Sequence, residues 1–270
     1  MPPKSPNSGG LWIYSPPILR GWGAQFDFCK RSSGFFNSFI EIDGIFDLSS
    51  RLRLGNTDDR RSYSLVGGSI VQDRDYTLII DKSGSMSAPD QPGGRSRWDV
   101  AQESTLALAR KCEQFDPDGI TVYLFSGRFK RYDNVTSSKV AQIYTENDPM
   151  GTTDLASVLK DATDQYFRRK AAGQTKPNGE TIIVVTDGEP DDRKAVMRVI
   201  IEASRQMERD EELAISLIQV GSDATATRFL KALDDELQGA GAKFDIVDTI
   251  TLDDMENLTL AEVLLNAIND

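Results

Sequence analysis

The stretch Tyr76-Thr77-Leu78-Ile79-Ile80 runs straight into Asp81-Lys82-Ser83-Gly84-Ser85-Met86. A short apolar run of this kind reads as a buried strand of a parallel sheet. A carboxylate and two hydroxyls at alternate positions then leave the carboxyl end of that strand together. Three hard oxygen donors in one turn can converge on a small cation, and Gly84 lets the backbone bend between them. Open α/β sheets place their ligand sites outside the strand ends, where this segment falls.

Working outward, regular alternation begins at Asp73. Strand-like runs lie at Tyr76–Ile80, Ile120–Ser126, Thr181–Thr186, Ala214–Gly221 and Phe244–Thr249. Amphipathic stretches separate them at Arg97–Phe115, Asp154–Lys170, Asp191–Arg209, Asp223–Gln238 and Leu258–Ile268. In the first of these, Trp98, Ala101, Thr105, Leu108, Ala109 and Cys112 recur at helical spacing. Strands alternating with helices predict an α/β fold: a doubly wound, mostly parallel central sheet with helices on both faces. Only Gly127 and Arg128 separate the second strand from Phe129–Val135, too few for a crossover. That run is expected to pair antiparallel as an edge strand, where Lys130, Arg131 and Asp133 suit exposure.

Residues 1–70 read differently. They hold Gly, Pro, Ser and aromatics (Trp12, Tyr14, Trp22, Phe26, Phe28, Phe35, Phe36, Phe39) without sustained periodicity, and Gly55–Tyr63 has the look of a linker. Two readings stand: a partner-binding or membrane-touching arm, or an unstructured leader. The expected division is therefore an N-terminal extension over 1–70 and one domain over 71–270.

Composition narrows the function. The net charge is −11, and residues 1–70 carry eight Lys/Arg against six Asp/Glu, which leaves −13 on the remainder. So acidic a domain repels phosphate backbones, which argues against nucleic acid as a partner. No apolar run approaches the roughly 18 residues of a membrane helix. Leu11–Leu19 is broken by Pro16 and Pro17 and does not read as a secretory signal; a cytoplasmic location is the expectation. Cys29 and Cys112 are too few for a disulfide scaffold, and Cys112 reads as a packed thiol. There is no histidine. Ser-His-Asp and Cys-His catalysis and every His-ligated metal site are thereby excluded.

Two more segments share the position of the first. Met150-Gly151-Thr152-Thr153-Asp154-Leu155 is a glycine loop feeding a helix, and Thr186-Asp187-Gly188-Glu189-Pro190 follows the apolar strand Ile182–Val185. If the strands ending at Ile80 and Thr186 are neighbours, Asp81, Ser83, Ser85, a threonine of the 151–153 loop and Asp187 surround one point. Two carboxylates and three hydroxyls suit Mg²⁺, which takes about six oxygens and usually keeps waters. Each segment also has a structural reading alone. Asp-x-Ser-x-Ser can be a turn, Gly-Thr-Thr-Asp a helix cap, and Asp191 and Asp192 a complement to the next helix.

Together these motifs resemble the von Willebrand factor type A domain, the fold of integrin I domains and of many bacterial cytoplasmic proteins. The resemblance covers residues 73–270. In that family a metal-ion-dependent adhesion site uses Asp-x-Ser-x-Ser, a distant Thr and a distant Asp. Asp81, Ser83 and Ser85 match the first element. Thr153 matches the Thr, with Thr152 standing where the family has a second Gly, and Asp187 matches the Asp. The resemblance implies that the two serines bind the metal directly, that Asp81 and Asp187 act through waters, and that Thr153 alternates between the two modes. It implies Mg²⁺, with Mn²⁺ or Ca²⁺ as alternatives, and a protein partner whose Asp or Glu completes the metal's shell. Glu189 stands beside the site as a competing acid or a solvated loop residue, and the insertion Ser87–Ser96 is expected to overhang the metal.

Three functions follow. The first is a metal-dependent interaction module without chemistry of its own. The second, by family analogy alone, is a structural subunit working beside a ring-forming ATPase of the AAA+ kind, as bacterial relatives often do. The third is a Mg²⁺-dependent hydrolase. Against the last, a haloacid-dehalogenase-type phosphatase wants a carboxylate where Ser83 stands, and no Gly-x-x-x-x-Gly-Lys-Ser/Thr loop is present.

Overall fold

The structure, a computed structural model, describes residues 70–255 and 258–268. All of the expected N-terminal extension except Ile70 lies outside the described residues.

Six strands form one sheet: β1 (Asp75–Asp81), β2 (Ile120–Phe125), β3 (Phe129–Val135), β4 (Glu180–Thr186), β5 (Leu213–Gln219) and β6 (Val247–Thr251). Their order is β3-β2-β1-β4-β5-β6. Every pairing is parallel except β2 with β3, which runs antiparallel at the edge. This is the doubly wound, Rossmann-like α/β architecture expected from the alternation, including its antiparallel edge strand. On β3 every residue but Tyr132 and Val135 is exposed, as an edge strand rich in charge tolerates.

The period-two alternation along each strand builds two cores. Tyr76, Leu78, Ile80, Val122, Leu124, Ile183, Val185 and Ile218 face one side. There they pack on α1 (Arg97–Phe115), α2 (Ser137–Thr145) and α7 (Leu260–Asn266). Ile79, Tyr123, Phe125, Ile182, Val184, Ile215 and Leu217 face the other side. These pack on α3 (Leu155–Ala171), α4 (Arg193–Gln206) and α5 (Ala224–Asp235). A four-residue helix, α6 (Leu252–Met255), follows β6. Central strands buried on both faces are why β1, β4 and β5 read as near-continuous apolar runs.

The structure departs most from the sequence reading at one strand boundary and one helix. The last strand begins at Val247 rather than Phe244, because parallel pairing to β5 starts with Ile215 opposite Val247. Phe244 packs against the core without joining the ladder. The sequence reading also assigns no helix to Ser137–Thr145, where Val140, Ile143 and Tyr144 carry one buried face. Tyr144 is fixed there by Thr105, 2.8 Å away, and by Trp98, whose ring centroid lies 4.4 Å off. Cys112 is buried in α1 as expected, and burial pushes its thiol up.

From β1 the sheet grows outward through β2 in one direction and from β4 through β5 in the other. The order therefore reverses between β1 and β4. In an open α/β sheet, the crevice at the carboxyl ends of such a pair is where ligands bind.

Candidate metal site

Asp81 is the last residue of β1 and Asp187 the first after β4, so the two flank that crevice. The register sets Ile80 opposite Val185, which carries Asp81 to the level of Thr186. Thr186 Oγ1 donates to Asp81 Oδ2 at 2.6 Å and accepts from the Gly188 amide at 3.0 Å. The other Asp81 oxygen, Oδ1, accepts from the Ser83 amide at 2.7 Å. Asp81 is fully buried, held from the neighbouring strand by Thr186 and from its own turn by Ser83. Burial pushes its carboxyl up to about 6, against the hydrogen bonds from Thr186 and Ser83 that favour the charged form.

After Asp81 the chain turns into a single 3₁₀ turn, Gly84–Ser87. The turn sets the Ser83 and Ser85 hydroxyls 3.0 Å apart, with Ser83 buried and Ser85 exposed. This is the convergence of alternate hydroxyls expected from the spacing.

The glycine loop is tied in through its backbone. Met150 donates to Lys82 O at 2.7 Å, and Gly84 donates to Gly151 O at 3.0 Å. Gly151 has φ +90°, a left-handed conformation that L side chains rarely adopt. Thr153 is buried beyond it. Its amide donates to Asp191 Oδ2 at 3.1 Å, and its carbonyl accepts from the Asp191 amide at 3.0 Å. The β1–β4 pairing and these loop bonds thereby bring the segments holding Asp81, Ser83, Ser85, Thr153 and Asp187 to one end of the sheet.

The structural roles weighed for these motifs are also present beside the site. Asp154 caps α3 by accepting from the Ser157 amide, and Asp192 caps α4 by accepting from the Ala195 amide. Asp191 instead serves Thr153. Glu189 is exposed and paired with Arg193, in keeping with a solvated loop residue.

Asp187 is buried, and its carboxylate has a partner the sequence reading did not foresee. Arg97 Nη1 donates to Asp187 Oδ2 at 2.9 Å. The same guanidinium grips Asp90, with Nε 3.1 and 3.0 Å from its two oxygens. Asp90 belongs to the 87–96 segment, which closes on itself through a Gln91–Arg95 bridge. The hydrogen bonds from Arg97 hold the Asp90 carboxyl well below the usual carboxylate range.

Thr186 and Asp191 are the other site residues missed. Thr186 had a signal, as a lone hydroxyl ending the apolar strand Ile182–Val185. Arg97 had none, since 90 residues separate it from Asp187.

The donor set fits a small hard cation: carboxylates on Asp81 and Asp187, hydroxyls on Ser83, Ser85 and Thr153. Among the described residues no three Asp, Glu, Cys or His side chains gather into a metal-holding group. A cation in this crevice therefore depends on hydroxyl oxygens as well as carboxylates.

Residues 76–189 match the family described as von Willebrand factor type A domain. The matched segment contains all five candidate ligands. No curated protein matches the chain. Similar solved structures include the manganese-loaded TRAP protein of Plasmodium vivax, at 17% identity and TM-score 0.47, over 73% of this chain and 74% of that one. Proximal thread matrix protein 1 of the mussel byssus is 16% identical at TM-score 0.47, over 73% of this chain and 47% of that one. The pilus adhesin SpaC of Lactobacillus rhamnosus GG is 13% identical at TM-score 0.47, over 73% of this chain and 30% of that one.

Proposed function

We propose that this domain is a von Willebrand factor type A module that binds a protein partner through a divalent cation. Asp81, Ser83, Ser85, Thr153 and Asp187 hold the cation, with Mg²⁺ as the expected ion and Mn²⁺ or Ca²⁺ as substitutes. When bound, the cation supplies a positive centre that accepts an Asp or Glu carboxylate of the partner. The chain's own residues do the positioning. Ser83 and Ser85 present their hydroxyls from one turn, and Thr186 aims the Asp81 carboxylate from the neighbouring strand. Met150, 62% exposed beside Gly151, adds an apolar contact at the rim.

The observation that carries this reading is the Thr186–Asp81 hydrogen bond across the β1–β4 switch point, which fixes a buried carboxylate beside the serine turn. The family match over residues 76–189 supports it. Binding without catalysis is part of the proposal. The chain has no histidine, and Ser83 stands where a phosphatase of this topology needs its acid. A cytoplasmic setting completes it, in keeping with a chain of two cysteines, one of them a buried free thiol.

The test is a partner capture from cell extract in Mg²⁺ and in EDTA, with Asp81→Ala as control. A partner retained only by the wild-type chain in Mg²⁺ is expected. Equal retention by the variant or in chelator refutes the metal bridge. Turnover of a generic phosphate ester with Mg²⁺ by the purified chain refutes the non-catalytic part.

A further inference from the structure

Arg97 is the first residue of α1, placed there by the capping box of Ser96 and Asp99. A cation at a helix N-terminus works against the helix dipole. Helix stability therefore gives no reason for an arginine at this position. Its side chain is only 15% exposed and ends between two carboxylates, one from the candidate metal site and one from the 87–96 segment. Gly221, at φ +81°, leaves the space: a Cβ there would lie 3.0 Å from Arg97 Nε. On the side of Asp90 the grip is a fork, with Nε and Nη2 both donating to the carboxylate, and it is reinforced by Gln91, whose Nε2 donates to Asp90 Oδ1 at 2.8 Å. On the side of Asp187 there is one contact. The guanidinium is anchored at Asp90 through Nε and Nη2 and reaches Asp187 through Nη1.

Resting on the cation-site reading above, we infer that Arg97 sets the affinity of that site. Its guanidinium competes with the cation for the Asp187 carboxylate, and Asp90 is the acid that keeps Arg97 when the cation takes Asp187. Two acids sharing one guanidinium make the exchange possible, because Arg97 never loses its counter-charge. The same exchange couples the cation to the 87–96 segment, since Asp90 sits within it and Ala88 O accepts from the Arg97 amide at 3.1 Å. Arg97 is a positioning and affinity-determining residue, not a ligand.

The test is titration of the full chain with Mn²⁺ alone, following free Mn²⁺ by electron paramagnetic resonance, with Asp81→Ala defining unrelated binding. Arg97→Gln is expected to tighten the Asp81-dependent site by about tenfold, toward the lower end of the usual range for coupled sites. Asp90→Asn frees Arg97 for Asp187 alone and is expected to weaken binding several-fold, about fivefold. In the Arg97→Gln background the Asp90 change is expected to do nothing.

Equal or weaker Mn²⁺ binding by Arg97→Gln, with the Asp81-dependent site intact, overturns this inference and leaves the cation site standing. So does an Asp90→Asn effect of the same size in both backgrounds, which marks plain loss of charge. Should Arg97→Gln not fold, unchanged affinity of the exposed-site variant Asp90→Asn overturns it. No Asp81-dependent Mn²⁺ in any variant refutes the cation site and the inference with it.

Discussion

Replacing Asp81 by Asn separates the cost of burying this acid from its use. In the folded chain without a cation, the Asp81 carboxyl holds its proton up to about pH 6, against 3.8 for an ordinary aspartate. The folded state therefore binds the proton more tightly than the unfolded state does. The stability this contributes is whole below about pH 4 and is lost as pH rises through about 6. Between 3.8 and about 6, at 1.36 kcal/mol per pH unit, the loss comes to about 3 kcal/mol by pH 8. Asn carries no charge and so has no such slope. Its oxygen keeps the Ser83 amide, while its NH₂ group cannot accept from Thr186, a loss of about 1 kcal/mol. Asp81→Asn is thus expected to be more stable than wild type at pH 8 in EDTA by about 2 kcal/mol. For a domain of this size that is roughly 6 °C in Tm. With Mn²⁺ at a hundredfold excess over Kd the order reverses, because the wild type gains about 3 kcal/mol and the variant gains none. Thermal melts from pH 4 to 8, in EDTA and in Mn²⁺, provide the assay. A variant less stable than wild type at pH 8 in EDTA refutes the burial argument, and an equal Mn²⁺ gain in both refutes the ligand role of Asp81.

Three further outcomes are expected. Ser83→Ala and Thr153→Ala should each weaken Mn²⁺ binding by about tenfold or more while shifting Tm in EDTA by only a few degrees; full-strength binding by both removes these hydroxyls from the site. Gly188→Ala places a methyl 2.9 Å from Ala226 Cβ at φ +105°, next to the amide that braces Thr186. Strain and overpacking together should cost about 3 kcal/mol in urea unfolding, and a loss below about 1 kcal/mol contradicts the close approach. Arg169→Met strands the buried Glu180 carboxylate, leaving it only Thr77 of its two side-chain partners; it should cost about 3 kcal/mol, with Glu180→Gln in the same chain restoring most of the loss.

The helices and strands were legible because their signals are local. Trp98, Ala101, Leu108 and Cys112 announce α1 through spacing alone, and all four are buried on one face. The three-residue link after β2 dictated the antiparallel β3, since no crossover fits in it. Where a signal was short or shared, the reading failed. The buried face of α2 rests on Val140, Ile143 and Tyr144, too few to stand out among polar neighbours. The run near Phe244 is apolar whether it packs as loop or strand, and only pairing with β5 decides where β6 begins.

At the site the division is the same. The order of motifs along the chain placed Asp81, Ser83, Ser85 and Asp187 at strand ends and Thr153 in the loop that opens a helix, because such a motif is carried by residues a few positions away. Thr186 holding Asp81 depends on β1 lying beside β4, which is a property of the sheet. Arg97 reaching Asp187 depends on more still: the Ser96 cap that starts α1, the closure of the 87–96 segment, and the space left by Gly221 two residues beyond β5. Residues 90 positions apart share no periodicity or spacing that could announce their contact. The sequence alone determined which oxygens this protein can offer to a cation; the tertiary structure decided which charges compete for them, because charge pairing acts through space.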